Sequence, residues 1–185
     1  MNGDHRSSRL EARGIALEER LFEKRSRYLV LFLTLNYKAQ CRDDVTIDDL
    51  RRDRDRLLKN IESNPLLQGI QGYIWKIEEG GKAGLHIHLL LFYAGDHRAD
   101  VYIAKRIGHY WETVITGGAG AYWNSNADKA SFTERGLPVG VGQVNRKDKA
   151  CRDAIRTIIR YMGKPDQRIT ERRPRTRTFG TSELR

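Results

Sequence analysis

Gly84-Leu-His-Ile-His-Leu-Leu-Leu-Phe-Tyr93 is the stretch whose reading decides the architecture. As a strand it alternates faces with every residue, so Leu85, Ile87, Leu89 and Leu91 line one side while His86 and His88 line the other. One face is a core and the other a site. Just upstream, Ile70-Gln-Gly-Tyr-Ile-Trp-Lys-Ile-Glu-Glu79 is a second strand-like run, and Gly80 to Gly84 between them has the composition of a hairpin connection. Pairing the two runs sets Tyr73, Trp75 and Ile77 against the leucine face and leaves Lys76 and Glu78 on the histidine face. Two imidazoles and a carboxylate then converge, a ligand set for a divalent cation with positions left for substrate. Glu79 takes the place of Glu78 if the register slips by one residue, which a glycine-rich loop permits. The plainer alternative is a pair of histidines decorating a solvated sheet face.

Working outward, Tyr28 to Tyr37 is dominated by leucine, β-branched and aromatic residues and reads as a central strand buried on both faces. Ser7 or Ser8 is placed to cap a helix running to about Lys24. Thr46 precedes Ile47-Asp48-Asp49 as an N-cap with first-turn acids, and Leu50, Leu57, Leu58 and Ile61 carry that helix to Asn64-Pro65. Asp100 to Ile115 is an amphipathic helix with Ile103, Ile107, Tyr110, Trp111 and Val114 on one side. Thr116 to Arg135 is read as a long loop, Val139 to Val144 as a short strand, and Lys147 to Met162 as a helix with a stripe of Cys151, Ile155, Ile158, Ile159 and Met162. The fold class is α+β. The expected organisation is a helical basic N-terminal arm at 1–27, a domain at 28–167, and a tail at 168–185 whose six arginines against two acids suit ordering on nucleic acid.

At 185 residues the chain fits one domain with extensions and excludes a TIM barrel. Thirty-four lysines and arginines against 24 acids give a net charge of +10, which points to polyanions, nucleic acid first. Cys41 and Cys151 stand far apart with no CxxC pair, so neither a disulfide framework nor a cysteine zinc site is expected, in keeping with a reducing cytoplasm. Residues 1–14 lack an apolar signal core, and the longest apolar run is about eight residues against the roughly 18 of a membrane span, so no membrane partner is expected.

A second constellation is Tyr161-Met-Gly-Lys164. At about 100° per residue, Thr157, Tyr161 and Lys164 share a helix face beside the apolar stripe, bringing a phenol and an ammonium together. A tyrosine hydroxyl is a poor nucleophile unless a neighbouring cation or an activated electrophile lowers the barrier. The alternative is a tyrosine that merely packs. Tyr110 is the rival, but no basic residue follows it at helical spacing. Other His-x-His folds fit less well: cupins need a glutamate soon after the second histidine, and metallo-β-lactamases an Asp-His, where Leu89 to Tyr93 stands here. An iron oxygenase is chemically allowed but gives no reason for the charge.

Phe32-Leu-Thr-Leu-Asn36, His86-Ile-His88 and Tyr161-x-x-Lys164, in that order, resemble the three motifs of HUH endonucleases, the rolling-circle replication initiators and their relatives. With Trp75-Lys-Ile-Glu78 and Arg177-Thr-Phe-Gly-Thr-Ser182, the chain from about Tyr28 to Ser182 is most similar to the inovirus (filamentous phage) replication protein family and its YagK/YfjJ-like members. The resemblance implies an RRM-related central antiparallel sheet carrying the His-x-His strand, flanked by helices. It implies a magnesium or manganese ion on His86, His88 and Glu78, with Tyr161 as nucleophile and Lys164 beside it. The implied activity is nicking and joining of single-stranded DNA at an origin hairpin through a 5′-phosphotyrosine, in the cytoplasm of a bacterial host. A host or element helicase and polymerase would be partners, since no Walker loop is present. Arg172, Arg173, Arg175 and Arg177 are the expected DNA-binding cations, with Tyr122 or Trp123 as stacking surfaces. A transposase or relaxase would share the chemistry, and a DNA-binding regulator would share the surface without it.

Overall fold

The architecture is built around β1 (Arg27–Tyr37), β2 (Ile70–Gly80) and β3 (Gly84–Ala94). It is seen in a computed structural model that describes residues 2–81, 83–164, 169–170 and 176–183, with side chains from residue 7 onward. The remaining strands are β4 (Gly120–Asn124), β5 (Gly142–Asn145) and β6 (Phe179–Thr181). The helices are α1 (Asn2–Lys24), α2 (Ile47–Lys59), α3 (Asp100–Tyr110), α4 (Lys129–Glu134) and α5 (Lys149–Gly163). All pairings are antiparallel, in the order β4-β1-β3-β2-β6, with β5 also on β1. This is the α+β arrangement expected, with the His-x-His strand at the centre.

Both faces of β1 are buried because helices cover both sides of the sheet. Leu29, Leu31, Leu33 and Leu35 pack with Leu50 and Leu57 of α2 and Ile103 and Ile107 of α3. Tyr28, Val30 and Phe32 pack with Leu17, Leu21 and Phe22 of α1 and Ile155 and Ile159 of α5. Each fully buried side chain of this size contributes roughly 1.5–3 kcal/mol. The histidine face of β3 is therefore not site throughout: Leu90 and Phe92 continue it into the second core.

Thr46 caps α2 as expected, in a capping box with Asp49. The β2–β3 turn is closed by the Gly80–Gly84 pair, and Gly84 sits at φ +62°, a conformation that excludes a β-branched residue. Elsewhere the structure departs from expectation. Ser7 is no N-cap, because α1 begins at Asn2; its hydroxyl donates instead to the Gly163 carbonyl at 2.7 Å. Helix α1 is tied along α5 by the fully buried Glu18, which accepts from Arg152 at 2.7 and 3.1 Å and from Arg156 at 3.2 Å. The α3 helix widens into a π turn at Trp111–Ile115, which rotates Ile115 into the core and leaves Val114 exposed. Thr116 to Arg135 is not a loop but holds β4 and α4: Gly117 and Gly118, both at positive φ, turn the chain back onto β1. Beyond residue 168, β6 adds to the edge of β2, so this part of the expected tail is ordered by the sheet itself.

One edge of β1 is shared, β5 pairing with Arg27–Val30 and β4 with Leu33–Tyr37. The gap is bridged by the buried Asn126, whose Oδ1 accepts from the Phe32 amide at 2.9 Å. Its Nδ2 donates to the Val30 carbonyl at 2.9 Å and to Asp100 at 2.8 Å. Asn126→Ala strands a buried amide and a carbonyl, each costing about 1–3 kcal/mol. Urea unfolding should show a loss of about 2–4 kcal/mol, whereas a loss below about 1 kcal/mol would contradict this role.

Candidate active site

Strand pairing lines up side chains of one face across the sheet. Lys76 lies opposite His88, His88 opposite Thr34, and Thr34 opposite Trp123; in the next row Glu78 lies opposite His86. The register therefore selects Glu78 and not Glu79, which sits on the other face and accepts from the Thr170 amide at 2.5 Å. Glu78, His86 and His88 are all buried, and a ligand atom from each lies within 4.8 Å of the others.

The outer nitrogens of both rings are held. His86 Nδ1 is 2.9 Å from the Gly84 carbonyl, which only accepts, so Nδ1 carries the proton and Nε2 presents a lone pair to the site. His88 Nδ1 is 3.1 Å from the Thr34 hydroxyl, and its Nε2 is 3.2 Å from Glu78 Oε2; His86 Nε2 is 3.8 Å from the same oxygen. Ligands of one magnesium-sized ion stand roughly 3 Å apart. Nitrogen lone pairs turned towards a carboxylate need a cation between them, and the carbonyl and hydroxyl behind the rings fix them in that attitude. The donor set thus fits a divalent ion. Burial pushes the Glu78 carboxyl up, but hydrogen bonds and charge from His86 and His88 outweigh it and hold it well below the usual carboxylate range.

Helix α5 delivers Tyr161 to this cluster. Its ring meets that of His88 edge-on, centroids 5.5 Å apart, while the side chain stays 46% exposed. Burial, then the charge of Glu78, raises its hydroxyl above the usual value. The Lys164 ammonium lies 5.7 Å from the centre of the Tyr161 ring. Thr157, Tyr161 and Lys164 line one groove with His88, so the helix face expected from the sequence is the one presented. The rival Tyr110 packs across the sheet from the histidines, its hydroxyl accepting from Asn60 at 2.8 Å.

Lys76 has a larger part than its place in the sequence suggested. It is fully buried beneath the site, and its Nζ donates to the Lys164 carbonyl at 3.1 Å, pinning the end of α5 to the sheet. Only the alternation of β2 hinted at this, since the partner is a backbone atom 88 residues away. The exposed Arg177 donates to the Phe179 carbonyl, and its guanidinium lies 5.9 Å from the Trp75 ring, on the face away from the histidines. Arg172, Arg173 and Arg175 lie outside the described residues. Of the two expected stacking aromatics, Tyr122 packs against α3, where a Cβ on Gly108 would collide with its ring. Trp123 is 59% exposed. Cys41 and Cys151 are both free thiols, and no helix among the described residues is long and apolar enough to cross a membrane.

No curated protein and no solved structure matches the chain. A family model for the replication-associated protein ORF2 group matches residues 30–166, from the first central strand to the end of the tyrosine helix. That span contains β1, the hairpin with its histidine and glutamate cluster, and Tyr161 with Lys164, and the chain belongs to this replication-associated protein family.

Proposed function

We propose that the chain is an HUH-type replication initiator, of the kind found in filamentous phages and related elements, that nicks and rejoins single-stranded DNA with Tyr161 as nucleophile. The observation that carries this reading is the approach of the Tyr161 ring to His88, within the buried Glu78–His86–His88 cluster. A divalent cation held by those three residues supplies Lewis acidity at a phosphodiester oxygen.

This chain's own residues do the rest. The Tyr161 oxygen attacks phosphorus and forms a phosphotyrosine ester as the bond to the 3′ oxygen breaks. The phenolic proton is released and the departing oxygen is protonated, leaving a 3′-hydroxyl fit for a polymerase. The Lys164 ammonium, beside the same ring, stabilises negative charge that grows on the phosphoryl oxygens. Lys76 anchors the end of α5 so that the phenol and cluster keep their spacing. One phosphodiester is exchanged for another, so the step runs in either direction and permits joining.

The test is incubation with single-stranded DNA carrying the flanking genomic sequence, with manganese or with chelator, followed by a denaturing gel. A DNA-shifted protein band that survives detergent and needs the metal is expected. Salt-dependent binding with no such band on any DNA would favour a regulator that binds without cleaving.

A further inference from the structure

A groove of about 480 Å³ runs from Tyr161 and His88 towards β4 and α4. Its volume falls within the range of small-molecule pockets, roughly 300–1,000 Å³. Trp123 stands at its β4 side, in the same row as His88 and Thr34, two strand spacings from His88 or roughly 10 Å. That is the reach of a nucleoside on its phosphate. Phe32 and Phe132 supply apolar lining, with the Arg135 guanidinium 5.5 Å from the Phe132 ring. Asp128 also lines the groove. A carboxylate repels phosphate but accepts hydrogen bonds from a base edge, so the chemistry favours a base here and the phosphate at the Tyr161 end.

We propose that this groove receives one unpaired DNA base next to the scissile phosphate, with the Trp123 indole as its stacking surface. The placement of the phosphate rests on the nuclease reading above. A paired base is excluded, since its face is covered by its neighbours in the duplex, whereas an unpaired base offers a free π-face to an aromatic platform.

Trp123 makes the proposal directly measurable. The other two tryptophans are buried, Trp75 at 5% and Trp111 at 0% exposure, so intrinsic fluorescence that responds to a ligand reports on Trp123. Titration of the full chain in chelator with an oligothymidylate of about 12 nucleotides should quench the emission, and a duplex of the same length should leave it unchanged. Trp123→Ala should raise the Kd for the oligothymidylate about 5- to 100-fold, the loss of one base–aromatic stack. Trp123→Phe should keep the affinity and lose the quenching. Unquenched emission on saturation, or an unchanged Kd in Trp123→Ala, would overturn the proposal. The nuclease reading fails separately: quenching and the Trp123→Ala defect without a Tyr161 adduct would leave the groove standing, whereas an adduct without them would remove the groove alone.

Discussion

Tyr161→Phe is expected to abolish the covalent protein–DNA product while leaving the fold and single-stranded DNA affinity close to those of the parent chain. The substitution removes one oxygen. The ring contact with His88, the neighbouring Lys164 and the packing of α5 through Ile158, Ile159 and Met162 all survive it. The hydroxyl makes no hydrogen bond among the described residues and the side chain is half exposed, so no buried partner is stranded and stability should move by less than about 0.5 kcal/mol. Strand transfer, by contrast, should fall on the order of 10³-fold or more, as when an enzyme loses its nucleophile. The two effects are read by thermal melting and by a single-turnover nicking assay. A variant that nicks at the parental rate would place the nucleophile elsewhere.

Glu78→Gln should be nearly as damaging, by another route. The amide keeps the shape but replaces an anionic oxygen facing two Nε2 atoms with a neutral group. Manganese affinity, measured by calorimetry on the full chain, should fall at least about tenfold. Nicking should fall on the order of 10²-fold, the several kcal/mol that a Lewis acid contributes to a developing phosphoryl charge. Glu79→Gln is the matched control, since Glu79 is committed to the Thr170 amide on the opposite face, and it should leave both quantities within about twofold. Equal losses in the two variants would contradict the register on which the cluster depends.

Much of this site was legible because strand periodicity is rigid. Once Leu85 to Leu91 alternates with His86 and His88, a two-residue period across a short glycine turn brings Glu78 to the same face, and β2 pairs as that rule requires. The helix carrying Tyr161 was readable for a similar reason, its apolar stripe fixing which way the phenol points. What the periodicities concealed were contacts made by backbone atoms and short segments. The hold of Lys76 on the Lys164 carbonyl, and of Asn126 on the open edge of β1, involve partners that leave no mark in sequence. Strands β4 and β6 are five and three residues long, below the length at which alternation declares itself, and each is recruited by an edge already formed. The exposure of Trp123 and the burial of Tyr122 turn on which face of β4 meets α3, a matter of tertiary packing.

The most direct test is mass spectrometry of the protein after reaction with single-stranded DNA and manganese, nuclease digestion of the bound DNA, and proteolysis. A peptide containing Tyr161 that carries a 5′-linked nucleotide, absent when chelator is added, is the predicted result. A nucleotide on any other side chain, or cleaved DNA with no protein-linked nucleotide, would contradict Tyr161 as the nucleophile.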